Sequence, residues 1–227
     1  MVYGSSIGTK FYEDGRVRAF PGNTVVAPIT PENPAYAVAV QLRDMVKAFG
    51  LEDYYTMLPA DSYHMTVIDG LVDQIRTDDH WPANLRKDAP MEQVDDYVTD
   101  AFVRAGIPQP AQMRFDEIHV SKNCMIIHLL PANEAQERIL RDFRDRAAEE
   151  EGVKFNGHDT YRFHISLAYT RVVPEGEAAD RLEQMKAAMN AILAQQPPFM
   201  TGTPYMAYFN DMYAFSPNRI PRIGTSY

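Results

Sequence analysis

Short apolar runs and longer amphipathic stretches alternate along the chain. The apolar runs predict strands over residues 23–29, 63–68, 113–120, 124–130 and 163–169, followed by an aromatic-rich, strand-like tail at 205–215. Helices are predicted over residues 34–49, 91–105, 134–150 and 177–195. Their boundaries rest on suitable capping or terminating residues, which are Asn33, Gly50, Gly106, Asn133, Gly152 and Pro197.

The order of these elements predicts a mixed α+β fold. The two strands over 113–130 are joined by three residues, a spacing that fits a hairpin and therefore antiparallel pairing. Because no low-complexity tract or flexible linker divides the chain, we expect one domain over residues 1–227. Residues 71–90 lack periodicity and predict a long surface loop, of a kind that is uncommon unless it covers a site. Trp81 in this loop could stack on a base, although packing within the loop is favoured.

One short pattern occurs twice, 100 residues apart. Residues 62–67 are Ser-Tyr-His-Met-Thr-Val and residues 162–167 are Arg-Phe-His-Ile-Ser-Leu, so each has an aromatic residue, histidine, an aliphatic residue, a hydroxyl and an aliphatic residue. Side chains of a strand alternate between its faces, so His64 shares a face with Thr66 and His164 shares one with Ser166. The opposite face of each strand is apolar and suits a core.

Two similar lobes related by a pseudo-twofold axis would bring both histidine–hydroxyl pairs to one cleft. Alternation places Arg162 on the same face as His164, where it could contribute a positive charge to a substrate; a solvated charge at the strand edge is the alternative. His119 and His128, on the predicted hairpin, could also line the cleft, but a structural role is favoured for both.

Two facing imidazoles suit acid–base chemistry at a phosphodiester. One imidazole can accept a proton while the other donates one, and the hydroxyls of Thr66 and Ser166 can hold non-bridging phosphoryl oxygens. Such a site requires no metal. A metal site built on the histidines is the rival interpretation, but no second histidine or carboxylate at ligand spacing accompanies either one. We therefore expect neither a metal nor another cofactor.

The motifs His64-Met65-Thr66 and His164-Ile165-Ser166 resemble those of the 2H phosphoesterase superfamily. The sequences around them and residues 20–26 look like an uncharacterised bacterial and fungal branch of it. The resemblance implies an α+β fold of two interleaved, pseudo-symmetric lobes with mostly antiparallel sheets around a central cleft, one motif strand in each lobe. It also implies that His64 and His164 are catalytic and that Thr66 and Ser166 bind phosphate. The implied activity is hydrolysis of a cyclic phosphodiester, of the 2′,3′-cyclic nucleotide or RNA-end type.

Net charge, cysteine content and the lack of long apolar runs limit the ligands, the disulfide bonds and the localisation that we expect. With 22 Lys and Arg against 31 Asp and Glu, the net charge is −9, which argues against binding of long nucleic acid but leaves a small nucleotide or an RNA end possible. The single cysteine, Cys124, excludes an internal disulfide framework and is interpreted as a small core residue. Without a signal peptide or an apolar run of membrane-spanning length, we expect a cytoplasmic monomer that does not bind membranes.

Three alternatives remain open at this point. RNA-end processing or 2′,5′-ligase-like activity belongs to the same enzyme class, and activity on mononucleotides would argue against it. A nucleotide-binding module without turnover would keep the cleft, although binding alone does not need an acid–base pair. A structural domain with a coincidental repeat would place the two imidazoles far apart.

Overall fold

Four helices and eight strands form the part of the chain that the computed structural model describes, residues 1–222. The helices are α1 (Pro34–Ala48), α2 (Met91–Ala105), α3 (Glu134–Glu151) and α4 (Glu177–Leu193). The strands are β1 (Gly22–Pro28), β2 (Tyr55–Met57), β3 (His64–Val72), β4 (Gln112–Val120), β5 (Cys124–Pro131), β6 (His164–Thr170), β7 (Phe199–Met200) and β8 (Tyr205–Phe209). Glu52–Tyr54 and Ala60–Ser62 form 3₁₀ turns.

All of these strands belong to one open antiparallel sheet. Its order is β7-β4-β5-β6-β3-β1-β8, and β2 pairs with β6 outside this path. The order is nearly symmetric about the β6–β3 junction, since β5 corresponds to β1 and β4 corresponds to β8. Because β8 comes from the end of the chain, the two halves are interleaved. The predicted α+β fold with mostly antiparallel pairing is confirmed, and its two halves share a single sheet.

The helices form where an apolar stripe along the sequence is bounded by residues that can cap or end a helix. Asn33 accepts a hydrogen bond from the Ala35 amide and Asn133 accepts one from the Gln136 amide, so each satisfies a free donor of the first turn. Gly106 ends α2 and Gly152 ends α3 at φ values of 75° and 78°, a region that residues with a Cβ rarely adopt. The four helix predictions are confirmed to within two residues at each end.

The core lies on the sheet face opposite the motif side chains. Met65, Val67, Ile165 and Leu167 are completely buried there. Helices α1 and α4 pack on each other, as do α2 and α3, and α3 also contacts β3 and β5. The apolar face of each motif strand therefore packs into the core, as its sequence pattern predicts. This burial makes the histidine and hydroxyl side chains point away from the core.

The connections differ from the predictions in two places. β2 and β7 were not predicted because they have only three and two residues. The strand-like tail was predicted over residues 205–215, but β8 ends at Phe209, and after a turn Ser216 pairs again with Tyr208. The loop after β3 is irregular as predicted, and Trp81 packs inside it as the sequence favoured, with its indole donating to the Leu85 carbonyl (3.0 Å). None of the helices in residues 1–222 has both the length and the apolar character needed to span a membrane.

Candidate active site

The two motif strands are neighbours at the centre of the sheet. β3 and β6 run antiparallel with Met65 opposite Ile165. This register sets His64 beside Ser166 and Thr66 beside His164. Each imidazole therefore has the hydroxyl of the other motif as its cross-strand neighbour. The sequence predicted that the two motifs meet, and the sheet shows how they do so.

Each imidazole is held by a hydrogen bond of the same kind, from its Nδ1 to the backbone carbonyl two residues before it. His64 Nδ1 lies 2.7 Å from the Ser62 carbonyl oxygen, and His164 Nδ1 lies 2.9 Å from the Arg162 carbonyl oxygen. A carbonyl oxygen only accepts, so Nδ1 carries the proton in each ring. In the neutral form, Nε2 is then the free acceptor. Two imidazoles held in this tautomer present the nitrogen that can take up or release a proton.

A β-bulge in β3 changes which side chains face the cleft. Ile68 and Thr66 pair with consecutive residues of β1, so Val67 is the extra residue between them. Val67 and Ile68 are both buried, and the alternation of faces is displaced by one position after them. Asp69 consequently lines the same cleft as Thr66.

The second motif carries the same irregularity. Ala168 and Ser166 pair with consecutive residues of β5, which makes Leu167 the extra residue of β6. Leu167 and Ala168 are both buried, and Tyr169 returns to the cleft side with Ser166. The internal repeat therefore extends from the histidine to a cleft-lining residue five positions later, Asp69 in one half and Tyr169 in the other.

The motif side chains open into a cavity of about 240 Å³. His64, Thr66, His164 and Ser166 all line it. Within residues 1–222, neither the Thr66 hydroxyl nor the Ser166 hydroxyl hydrogen-bonds another protein group. Both hydroxyls can therefore donate to a ligand. Two free donors between two imidazoles match the needs of a phosphoryl group whose oxygens gain charge during displacement.

His64 packs against an aromatic ring. The centroids of the His64 and Phe215 rings are 4.2 Å apart. Burial lowers the pKa of His64 to about 4, the nearby His164 lowers it further, and the hydrogen bond to Ser62 opposes both effects. His64 is consequently neutral at neutral pH, as a proton acceptor must be.

Segments near the two ends of the described chain line the cleft. The segment before β1 contributes Lys10 and Phe20, and the segment after β8 contributes Met212 and Phe215. The two segments meet where the Phe20 amide donates to the Asn210 carbonyl oxygen (2.7 Å). Both segments therefore contribute to the wall of the cleft.

A buried arginine supports the cleft from the helix side. Arg144 on α3 donates to the Val67 carbonyl oxygen (2.7 Å), the carbonyl of the extra residue in β3. Its guanidinium lies 4.0 Å from the centre of the Tyr161 ring. Burial raises the pKa of Tyr161, whose hydroxyl points to the Thr66 carbonyl oxygen at 3.5 Å. Arg144 and Tyr161 thus fix the backbone that carries Thr66.

Arg162 lies away from the cleft lining. Its guanidinium pairs with Asp116 (2.8 Å) and Glu117 (3.2 Å) on β4. The alternation that placed it beside His164 fails because β6 begins at His164. Contact between Arg162 and a substrate stays a prediction, and it would require the side chain to leave both carboxylates.

The other candidate residues divide between the cleft and the sheet. Cys124 lines the cleft at the start of β5, but burial raises the pKa of its thiol, which disfavours the nucleophilic thiolate. His128 is buried across the strand pair from His164, and its pKa is lowered to about 4 by burial and by the charge of Arg162. His119 is exposed next to His128. Neither His119 nor His128 lines the cleft.

Several cleft residues were not predicted from the sequence. Asp69 and Tyr169 were hidden by the bulges, because strict alternation places them on the opposite face. The one signal in the sequence is the pair of consecutive apolar residues before each of them. Lys10 and Phe215 lie in irregular segments that have no periodicity to interpret.

Among the described residues, one set of side chains outside the cleft has the spacing of metal ligands. It consists of Asp145, His158 and Asp159. Asp145 already accepts a hydrogen bond from His158 (2.9 Å), and Asp159 pairs with Lys154 (2.8 Å). This set contains neither motif histidine.

Several solved structures are similar to this chain, among them one from Agrobacterium tumefaciens and one from Thermus thermophilus. The conserved protein of unknown function ATU0111 from Agrobacterium tumefaciens str. C58 is 26% identical with a TM-score of 0.85, and the match covers 95% of this chain and 91% of that one. TT0787 from Thermus thermophilus is 17% identical with a TM-score of 0.43, over 82% of this chain and 85% of that one. No curated protein matches the chain.

A family model matches about half of the chain, from residue 10 to residue 124. Residues 10–124, which contain the first motif, match the model 2H-phosphodiest, described as a domain of unknown function, DUF1868. The second motif lies beyond this match, but β3 and β6 join the two motifs in one cleft of the same fold. The chain belongs to the 2H-phosphodiest (DUF1868) family of the 2H phosphoesterase superfamily.

Proposed function

We propose that this protein is a metal-independent phosphoesterase that hydrolyses a cyclic phosphodiester of the 2′,3′-cyclic nucleotide or RNA-end type. The observation that carries the proposal is the antiparallel register at Met65 and Ile165. It sets two imidazoles and two unpartnered hydroxyls around one cavity. Family membership supports phosphoester chemistry, and the small cavity supports a small substrate or the end of a larger one.

The proposed reaction uses the histidines in opposite protonation states. Neutral His64 accepts a proton from water at Nε2 while the water oxygen forms a bond to phosphorus. His164, protonated on both ring nitrogens, donates its Nε2 proton to the ribose oxygen as the bond from phosphorus to that oxygen breaks. The product is a phosphomonoester with a free ribose hydroxyl, and solvent restores the two protonation states.

The neighbouring groups support this division of roles. Burial, to which the adjacent Phe215 ring contributes, lowers the pKa of His64 and favours its neutral form, which suits a base. Thr66 and Ser166 donate to the non-bridging oxygens and stabilise the charge that develops on them, a contribution of roughly 10²–10³ in rate for one well-placed donor. Because these donors and the His164 imidazolium offset that charge, the proposal does not need a metal ion.

The test is turnover of adenosine 2′,3′-cyclic phosphate in the presence of a chelator. We expect His64→Ala and His164→Ala to lose nearly all activity, while His80→Ala, in the loop after β3, keeps it. Full activity in both motif variants would contradict the assignment. Loss of wild-type activity in chelator would contradict metal independence. Activity on RNA ends but not on mononucleotides would favour RNA-end processing, and tight nucleotide binding without turnover would favour a binding module.

A further inference from the structure

The two ends of the cleft carry opposite charges. Asp69 and Tyr169 occupy equivalent positions in the repeat, five residues after each motif histidine. Because β3 and β6 are antiparallel, the two residues lie towards opposite ends of the cleft. Asp69 places a carboxylate at one end, whereas Lys10 places an ammonium group beside Tyr169 at the other. The symmetry of the motifs is therefore not matched by symmetry of charge.

Lys10 has polar and aromatic neighbours but no opposite charge. Its Nζ atom donates to the Tyr169 hydroxyl (3.3 Å) and lies 5.0 Å from the ring centres of both Phe20 and Tyr169. Among residues 1–222, no carboxylate pairs with it, and of those that line the cleft it alone carries a permanent positive charge. Aromatic faces hold a cation in place without neutralising it. Two of its three N–H donors remain free for a ligand.

The segment that carries Lys10 is built into the sheet. The Gly4 amide donates to the Arg171 carbonyl oxygen (3.0 Å), and Ser6 donates to the Asn123 side chain (2.5 Å). Gly4 is so close to β6 that a Cβ atom there would lie 1.7 Å from the Thr170 carbonyl oxygen. The position of Lys10 is thus defined by backbone and side-chain contacts at the adjoining ends of β5 and β6.

Lys10 lies at a distance from the point where the reacting phosphoryl group is expected. That group would be held between Thr66 and Ser166, whereas Lys10 contacts Tyr169, three residues further along β6. Three residues of a strand span roughly 10 Å, and somewhat less across a bulge. A second anionic group on the same substrate could contact Lys10, while the carboxylate of Asp69 would repel such a group at the other end.

We propose that Lys10 forms a subsite for a second phosphate group, so that the preferred substrate is a cyclic phosphodiester carrying another phosphate. The inference rests on the proposed function of the same cleft. An ammonium group binds phosphate as a compact charge, and here it is held in the wall of the cleft by Tyr169 and Phe20. The charges of Lys10 and Asp69 together fix the direction in which the substrate lies across the two histidines.

The test compares three substrates. These are adenosine 2′,3′-cyclic phosphate, its 5′-phosphorylated form, and a dinucleotide that ends in a 2′,3′-cyclic phosphate. We expect the wild type to favour a substrate with a second phosphate, and the two phosphorylated probes distinguish a terminal phosphate from an internal diester. Lys10→Gln should raise KM for the favoured substrate roughly tenfold with little change in kcat, and should leave the unphosphorylated one within about twofold.

Two further variants sharpen the result. Lys47→Gln, an exposed lysine on α1, should behave as the wild type, and Lys10→Arg should restore most of the preference because it keeps the charge. An equal loss of kcat on all three substrates would overturn the proposal, since Lys10 would then act on the reacting phosphate. No change in any parameter would overturn it as well.

A binding measurement separates this proposal from the proposed function. Calorimetry with adenosine 3′,5′-bisphosphate and adenosine 3′-monophosphate requires no turnover. Tighter binding of the bisphosphate that is lost in Lys10→Gln would support the subsite even if no cyclic phosphate were hydrolysed. Hydrolysis without any preference for the second phosphate, in turnover and in binding, would overturn the subsite and leave the proposed function intact.

Discussion

The Phe215 ring packs against His64, and we expect this contact to contribute to the burial that sets the protonation of the proposed base. With the ring in place, the pKa of His64 is about 4, chiefly because of burial. Phe215→Ala should expose the imidazole and raise its pKa towards the ordinary value of about 6.5. Since the base must be neutral, activity is lost as pH falls through this pKa, so the acid limb of the pH–rate profile should move to higher pH. NMR titration of the His64 ring measures the same change directly.

A conservative replacement provides the control for this prediction. Phe215→Leu keeps an apolar group over the ring and should shift the pKa of His64 much less than Phe215→Ala does. If the His64 pKa of Phe215→Ala stayed at the wild-type value, the shielding would have to come from other residues around the cleft.

At the residue scale, alternation along a strand predicted four side chains of the cleft. His64, Thr66, His164 and Ser166 lie within regular pairing, where a period of two holds. Arg162 precedes the first residue of β6, so the period has no basis there. The lowered pKa of His64 was also beyond prediction, because it follows from burial among residues distant in sequence, such as Phe215, 151 residues further along the chain.

Arg144 donates to the Val67 carbonyl oxygen at the bulge in β3, an element-scale contact between α3 and the sheet. Arg144→Met should leave the Val67 carbonyl without its buried donor, at a cost of about 1–3 kcal/mol in the free energy of unfolding. Because Thr66 adjoins the bulge, we also expect a loss of roughly 10- to 100-fold in kcat/KM. Amide chemical shifts should change over residues 66–69 and remain the same over 164–169.

The exposed face of the same helix supplies the control. Arg138→Met changes the charge of α3 equally but lies in solvent, so kcat/KM and the amide shifts of residues 66–69 should be unaffected. A variant of Arg144 that lost stability but kept full kcat/KM would limit this residue to a purely structural role.

At the element scale, the sequence predicted what local chemistry determines. Helix ends follow from caps such as Asn33 and Gly106, whose effects extend over a few residues. The bulges follow from the register of β3 against β1 and of β6 against β5, which is set by strands distant in sequence. A two-residue strand such as β7 is likewise defined only by its partner.

At the scale of the whole molecule, the cleft is completed by the parts of the chain with the least regular sequence. The segments before β1 and after β8 have no hydrophobic period, yet they supply Lys10 and Phe215. Their positions follow from contacts with a finished sheet, such as that between the Phe20 amide and the Asn210 carbonyl oxygen. The negative net charge of the chain was therefore a poor guide to the cleft, one end of which carries a lysine and the other an aspartate.

The pH dependence of the free energy of unfolding should report on the protonation of Glu151. This residue is completely buried at the end of α3, and neither of its carboxylate oxygens is hydrogen-bonded within residues 1–222. Burial raises its pKa well above the ordinary value, and the nearby charge of Asp69 raises it further. Above about pH 4.5 the unfolded chain releases this proton and the folded chain keeps it, so unfolding becomes easier by about 1.4 kcal/mol per pH unit until the folded pKa is reached. Glu151→Gln cannot ionise in either state, so its melting temperature should exceed that of the wild type at pH 7–8, and the difference should vanish towards pH 4.5. Glu149→Gln, exposed on the same helix, should show no such trend, and a pH-independent difference for Glu151→Gln would mean that the carboxyl is not held protonated.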